Sequence, residues 1–204
     1  MKPAGAPPPR TLDVRQLPSY RYGQGSLMWW GTVGLMLIEG TVFGLGVMMY
    51  FYLRGIADAW PIHAAPPQLR WGTANTAILL LSLWPNQRAK AAAEREDRAQ
   101  ARFWLVVCLL FATAFLAVRA LEFTTLNVSW TANAYGSVVW LLLGLHTAHL
   151  ITDTVDTGVL AALLFSGRFE NKRFVDVSEN ALYWYFVVVS WLPIYGAIYL
   201  APLF

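Results

Sequence analysis

Apolar residues fall in five stretches separated by polar connections, and each stretch predicts a membrane-spanning helix: residues 27–54, 71–90, 102–123, 135–166 and 180–203. A span needs roughly 20 apolar residues at about 1.5 Å of rise each. The first stretch, Leu27 to Arg54, carries tryptophans near its start and tyrosines near its end, as bilayer interfaces favour. The second is apolar only from Trp71 to Trp84, and its helix is expected to continue past Pro85 and Asn86 into the charged residues beyond. The fourth is longer than a bilayer requires, which predicts tilt. Residues 1–26 contain no apolar core, so they are no cleavable signal peptide, and their prolines predict an extended tail. The predicted fold class is an all-α integral membrane protein, with a five-helix transmembrane domain over 27–204.

Composition agrees with that class. Of 204 residues, 57% are hydrophobic and 13% charged, and the mean hydropathy is +0.45; soluble domains carry about 25% charged residues. The excess of three positive charges is no nucleic-acid signal, because the basic residues segregate by side. Twelve of the fifteen lie in the tail (Lys2, Arg10, Arg15, Arg21), in the second connection (Arg88, Lys90, Arg95, Arg98, Arg102) and in the fourth (Arg168, Lys172, Arg173). Arg54 and Arg70 fall on the other side, and Arg119 lies within a span. That asymmetry predicts a cytoplasmic N-terminus and an external C-terminus. The single cysteine, Cys108, sits in an apolar run and reads as a small buried residue.

Polar residues inside the spans carry the candidate chemistry, since lipid offers them no partner. Glu39 stands in the middle of the first span, flanked by Gly40, Gly44 and Gly46. Two roles stay open for it: an acid that exchanges protons or touches lipid headgroups, or a carboxyl that orders helix packing. Thr73, Asn75 and Thr76 read as hydrogen-bonding glue between helices. Arg119 and Glu122 are three residues apart and share a helix face, which predicts an ion pair fixing the third helix against its neighbours. Near the helix end the arginine can also snorkel towards the headgroups, and the pair stands with Glu39 as the lipid- or proton-related candidates. In the fourth span His146, His149, Asp153 and Asp156 are spaced three, four and three, so they fall within roughly an 80° arc as one polar stripe. Such a stripe can be a buried seam, a proton path or a metal site; a seam is preferred, because one helix rarely closes a metal site. A haem normally takes its histidines from different helices, and His63 falls in an external loop, so no redox centre is expected in this chain.

Five fragments stand in order along the spans: Trp29–Gly31 with Leu37–Gly44 and Tyr50–Arg54, then Thr73-Ala74-Asn75-Thr76, Arg119 with Glu122, Gly144-Leu145-His146-Thr147-Ala148-His149, and Glu179-Asn180-Ala181-Leu182-Tyr183-Trp184. Together they resemble subunit III of the haem–copper terminal oxidases, the cytochrome c oxidase subunit III family, in a divergent five-helix form. The family's common form has seven helices, and the resemblance covers the last five. Where its final helix usually reads Y-W-H-F-x-D, Tyr185 and Val188 stand here instead of the histidine and aspartate, and Asp153 replaces a usual small residue.

The resemblance implies a non-redox accessory subunit of a bacterial oxidase, packed against catalytic subunit I and other oxidase subunits in the cell's inner membrane. It implies no bound metal, phospholipid held in a cleft, haem and copper in the partner subunit, and support for proton uptake. By the same resemblance Glu39 faces the lipid cleft, His146 and His149 line the bundle, and Glu179 opens the final helix. The five-helix branch also includes accessory proteins of nitric-oxide reductases, which keeps that partner open. A stand-alone proton-coupled transporter using Glu39 and the His146–Asp156 stripe is a third reading, although no paired halves or broken helices support it.

Overall fold

The computed structural model describes residues 20–166 and 170–203. The tail up to residue 19, with Lys2, Arg10 and Arg15, lies outside the described residues, as does Arg168. Five long helices follow one another: α1 (Leu27–Ile56), α2 (Leu69–Glu94), α3 (Arg98–Thr124), α4 (Ala134–Phe165) and α5 (Phe174–Tyr195). A π-helical turn, Gly196–Leu200, and a last 3-10 turn, Ala201–Leu203, continue α5 to the end of the described chain. Side-chain oxygens start three of the helices. Ser26 accepts from the Met28 amide at 3.1 Å, Asp97 from Gln100 at 3.1 Å and Asn133 from Gly136 at 2.8 Å, each satisfying a backbone donor that a helix start otherwise leaves free.

Segments Leu27–Ile56, Arg98–Thr124, Ala134–Phe165 and Asn171–Leu203 are long and apolar enough to cross a membrane. The chain is a multi-pass membrane protein, and the outward side chains suit lipid: Leu37, Ile38, Leu45 and Met48 on α1, Leu110 on α3 and Val155 on α4 are all exposed. α2 has a different character. Its buried residues include Asn75, Ser82 and Asn86, and each meets a polar group on a neighbouring helix or on its own turn. Trp184 Nε1 donates to Ser82 Oγ at 2.8 Å, and Asn86 Nδ2 donates to the Ala181 carbonyl at 2.9 Å. Burial of this polar face is why α2 extends from Leu69 to Glu94, beyond the 71–90 expected from apolarity. The last helix likewise starts early, at Phe174 rather than residue 180.

α2 and α3 form a tight antiparallel hairpin, α5 lies against α1, α2 and α4, and α1 leans on α4 and α5. The main core gathers around Trp191, Phe115, Leu142, Leu143, Leu150 and Val187. A smaller cluster near the α2–α3 turn is built on Ala92, Ala93 and Ala101, whose small side chains let the backbones approach, with Leu164 and Phe174 packed on them. Tyr22 donates to the Ala93 carbonyl at 3.2 Å and Tyr20 to Glu96 Oε1 at 2.8 Å, tying the segment before α1 to that turn. Burial raises the Tyr22 phenol pKa, and the hydrogen bond to Glu96 raises that of Tyr20.

At the opposite end, the α3–α4 connection is locked to the start of α4. Trp140 Nε1 donates to the Val128 carbonyl at 2.8 Å, and Asn133 Nδ2 donates to the Ile62 carbonyl at 2.8 Å. A Cβ on Gly136 would lie 2.2 Å from the Ser129 carbonyl oxygen and 2.8 Å from Val128 Cγ2. Backbone cannot rotate aside as a side chain can. Gly136→Ala is therefore expected to lower stability by about 1–3 kcal/mol, read as a lower melting midpoint of the purified protein in detergent. An unchanged midpoint would show that this connection yields freely.

Candidate functional site

Helices α1, α4 and α5 enclose a groove of about 680 Å³. Leu35, Val159, Leu160 and Leu163 give it an apolar wall, while Glu39, Asp156, Asp176, Glu179 and Arg173 bring charge to it. Glu39 is held there by two neighbours. Tyr183 on α5 donates its hydroxyl to Glu39 Oε2 at 2.7 Å, and His149 Nε2 on α4 lies 3.6 Å from Oε1. His149 Nδ1 is 2.7 Å from the Leu145 carbonyl, which can only accept, so Nδ1 carries a proton. Nε2 thus faces the carboxylate as the ring's other site, and a proton there turns the contact into an ion pair. Phe43 packs on the imidazole with ring centroids 4.8 Å apart and fixes its tilt. The acid, phenol and imidazole come from three helices, so each can report on the position of the others.

A second network lies deeper and excludes water. Arg119 and Glu122 are 1% and 2% exposed, with NH1 2.9 Å from Oε2. The contact is close but poorly aligned as a hydrogen bond, so charge attraction carries it. Asn75 Nδ2 donates to Glu122 Oε2 at 2.7 Å, and the Tyr199 hydroxyl donates to Oε1. On its other flank the guanidinium lies 4.2 Å above the Trp191 ring and 4.8 Å above that of Phe115. Its NH2 meets His146 Nδ1 at 3.4 Å, and His146 Nε2 reaches the Val187 carbonyl at 3.0 Å. A guanidinium only donates and a carbonyl only accepts, so His146 is the neutral tautomer protonated at Nε2. This network has the donors and acceptors of a clamp joining α2, α3, α4 and α5.

The stripe on α4 is thereby divided. His146 turns to Arg119, His149 to Glu39, and Asp156 to the groove, while Asp153 is buried against Asn180, whose Nδ2 donates to its Oδ1 at 3.2 Å. Glu179 is buried at the groove wall in the second turn of α5, not at the helix start. Among the described residues, no three His, Cys, Asp or Glu side chains gather as a metal site. Sequence reasoning missed Tyr183, Tyr199, Trp191 and Asn180, the partners that complete these networks. The available signal was a final helix with polar tips on large rings, Tyr183, Trp184, Trp191 and Tyr199, because a buried Tyr or Trp requires a polar partner.

The family described as cytochrome c oxidase subunit III matches residues 30–202. Cytochrome c oxidase subunit 3 of Thermostichus vulcanus is 25% identical over 175 residues, covering 85% of this chain and 87% of that protein. Its counterpart from Synechocystis sp. is 27% identical over 184 residues, covering 88% and 78%. The probable cytochrome c oxidase subunit 3 of Nocardia farcinica is 29% identical over 178 residues, covering 83% and 85%.

Proposed function

The chain belongs to the cytochrome c oxidase subunit III family, and we propose that it serves as the non-redox accessory subunit that stabilises catalytic subunit I, retains phospholipid and supports proton uptake. Its place is the inner membrane of a bacterial cell, beside subunit I and other oxidase subunits, which hold the haem and copper. The N-terminus faces the cytoplasm in this reading, because twelve of the fifteen basic residues fall on that side. A cysteine placed before residue 20 should then resist a membrane-impermeant thiol reagent applied to intact cells, and rapid labelling would reverse the orientation. The names of the relatives favour an oxidase over a nitric-oxide reductase as the partner complex.

The observation that carries the lipid and proton roles is the Glu39 carboxylate, held by Tyr183 at the wall of the α1–α4–α5 groove. An apolar wall with an acid and Arg173 along it suits an acyl chain and a polar headgroup. The carboxylate beside His149 supplies a proton acceptor for that uptake. Arg119 and Glu122 act as structure in this reading, holding the wall in place from within.

Glu39→Gln tests it. The amide oxygen still accepts from Tyr183, so the complex should assemble, while the charge beside His149 and the groove is gone. Expected are fewer phospholipids retained per purified complex, or a shorter active lifetime during sustained turnover. Lipid content and lifetime both equal to wild type would reduce Glu39 to a packing residue. The partner is tested separately, by a reduced-minus-oxidised spectrum of what co-purifies with the gently solubilised chain. A preparation without a haem-bearing partner would sink the oxidase reading.

A further inference from the structure

Asp153 stands apart from both the Glu39 and the Arg119 networks. It is 3% exposed, and its hydrogen-bond partner, Asn180, is itself engaged by Thr157 Oγ1, which donates to Asn180 Oδ1 at 3.1 Å. Asn180 Nδ2 satisfies Asp153 Oδ1, but Oδ2 is buried and meets no hydrogen-bond partner among the described residues. Leaving a buried carboxyl oxygen without a partner is unfavourable, more so if it bears charge. Asp153 also walls a small cavity of about 10 Å³, shared with Asn86, Cys108, Thr157, Asn180 and Trp184. A space of that size, with several polar groups around it, accommodates one water molecule. On their other side, Asp153 and Asn180 line the groove that holds Asp156 and Glu179. The small cavity and the groove thus meet at one acid–amide pair.

We propose that Asp153 and a single water in this cavity form a proton-exchanging site that communicates with the α1–α4–α5 groove past Asn180. Only O–H bonds change. The acid's Oδ2–H bond breaks as the water takes that proton. The water releases one of its own protons towards the Glu179 side of the groove, so it stays in place as the carboxylate's hydrogen-bond donor. The carboxylate left behind keeps the Asn180 amide hydrogen bond, and a returning proton restores the acid. The titratable and charged groups around this route are Asp156 on α4, Asp176, Glu179 and Tyr183 on α5, Arg173 just before it, Glu39 on α1 and Cys108 on α3. α2 contributes the neutral amide of Asn86. The site lies wholly in this chain and does not depend on which enzyme it accompanies.

Infrared spectroscopy of the full-length protein in lipid nanodiscs, with aspartate labelled by carbon-13 at the side-chain carboxyl, tests the proposal. At neutral pH a protonated-carboxyl stretch assignable to aspartate by its isotope shift should be present, and it should move on transfer to D2O. Asp153→Asn should abolish it. Cys108→Leu, which fills the cavity, should move the band to the position of a carboxyl without a water partner. The proposal is overturned if no aspartic-acid band exists, if the band survives Asp153→Asn, or if it never shifts in D2O. It is overturned equally if Cys108→Leu leaves the band where it was.

Discussion

Arg119→Ala is expected to lower stability by about 3–5 kcal/mol, the range for removing one partner of a buried ion pair. Glu122 would keep Asn75 and Tyr199 but lose its counter-charge in a site that is 2% exposed. The empty volume beneath Trp191 and Phe115 would add to the loss, since both rings rest on the guanidinium. A denaturant or thermal midpoint of the purified protein in detergent reads the effect. Arg119→Met combined with Glu122→Gln should recover most of it, because neutral groups of similar size leave no charge stranded. A single variant as stable as wild type would mean that the pair does not hold the bundle, and a double variant no better than Arg119→Ala would mean that shape, not charge, dominates.

Trp191→Ala should destabilise by a similar amount, about 3–5 kcal/mol for deleting a fully buried large aromatic. The ring is wholly inaccessible, lies tilted against His146 at 5.0 Å between centroids, and donates from Nε1 to Thr76 Oγ1 at 2.8 Å. Trp191→Phe keeps much of the volume and gives up that hydrogen bond, so it should cost about 1–2 kcal/mol. Because Arg119 and Trp191 touch, the loss in Arg119→Ala with Trp191→Ala should fall short of the sum of the singles. Strict additivity would separate the two residues and undo the picture of one clamp.

The helix pattern was open to reading because lipid admits long apolar runs and little else. Glu39, Arg119 and Glu122 stood out for the same reason, and the Arg119–Glu122 pair follows from helix geometry alone. Other features needed the third dimension. The α4 stripe spans a narrow arc, yet that arc faces a junction of several helices, so residues a single turn apart meet different partners. His146 and His149 share a motif but serve separate networks. Helix rotation decides which aromatic tip reaches which acid, and no local pattern encodes it; Tyr183 with Glu39 and Tyr199 with Glu122 therefore stayed hidden. Apolarity also underestimated α2, whose polar residues are interior. Arg119, near a helix end, had the reach to extend towards headgroups, but the rings of Trp191 and Phe115 enclose it at 1% exposure.

The inward polar face of α2 bears on how the protein is made. A helix carrying Asn75, Ser82, Pro85 and Asn86 on its buried side partitions weakly into lipid by itself, since polar residues near a span's centre oppose insertion. Its close antiparallel neighbour α3 is strongly apolar and follows after a turn of a few residues. α2 is therefore expected to enter the bilayer together with α3, as one arm of a hairpin. Trp184 and Trp191, which satisfy Ser82 and Thr76, arrive only with the last helix. Until then the α2 side of that seam lacks its partners from α5.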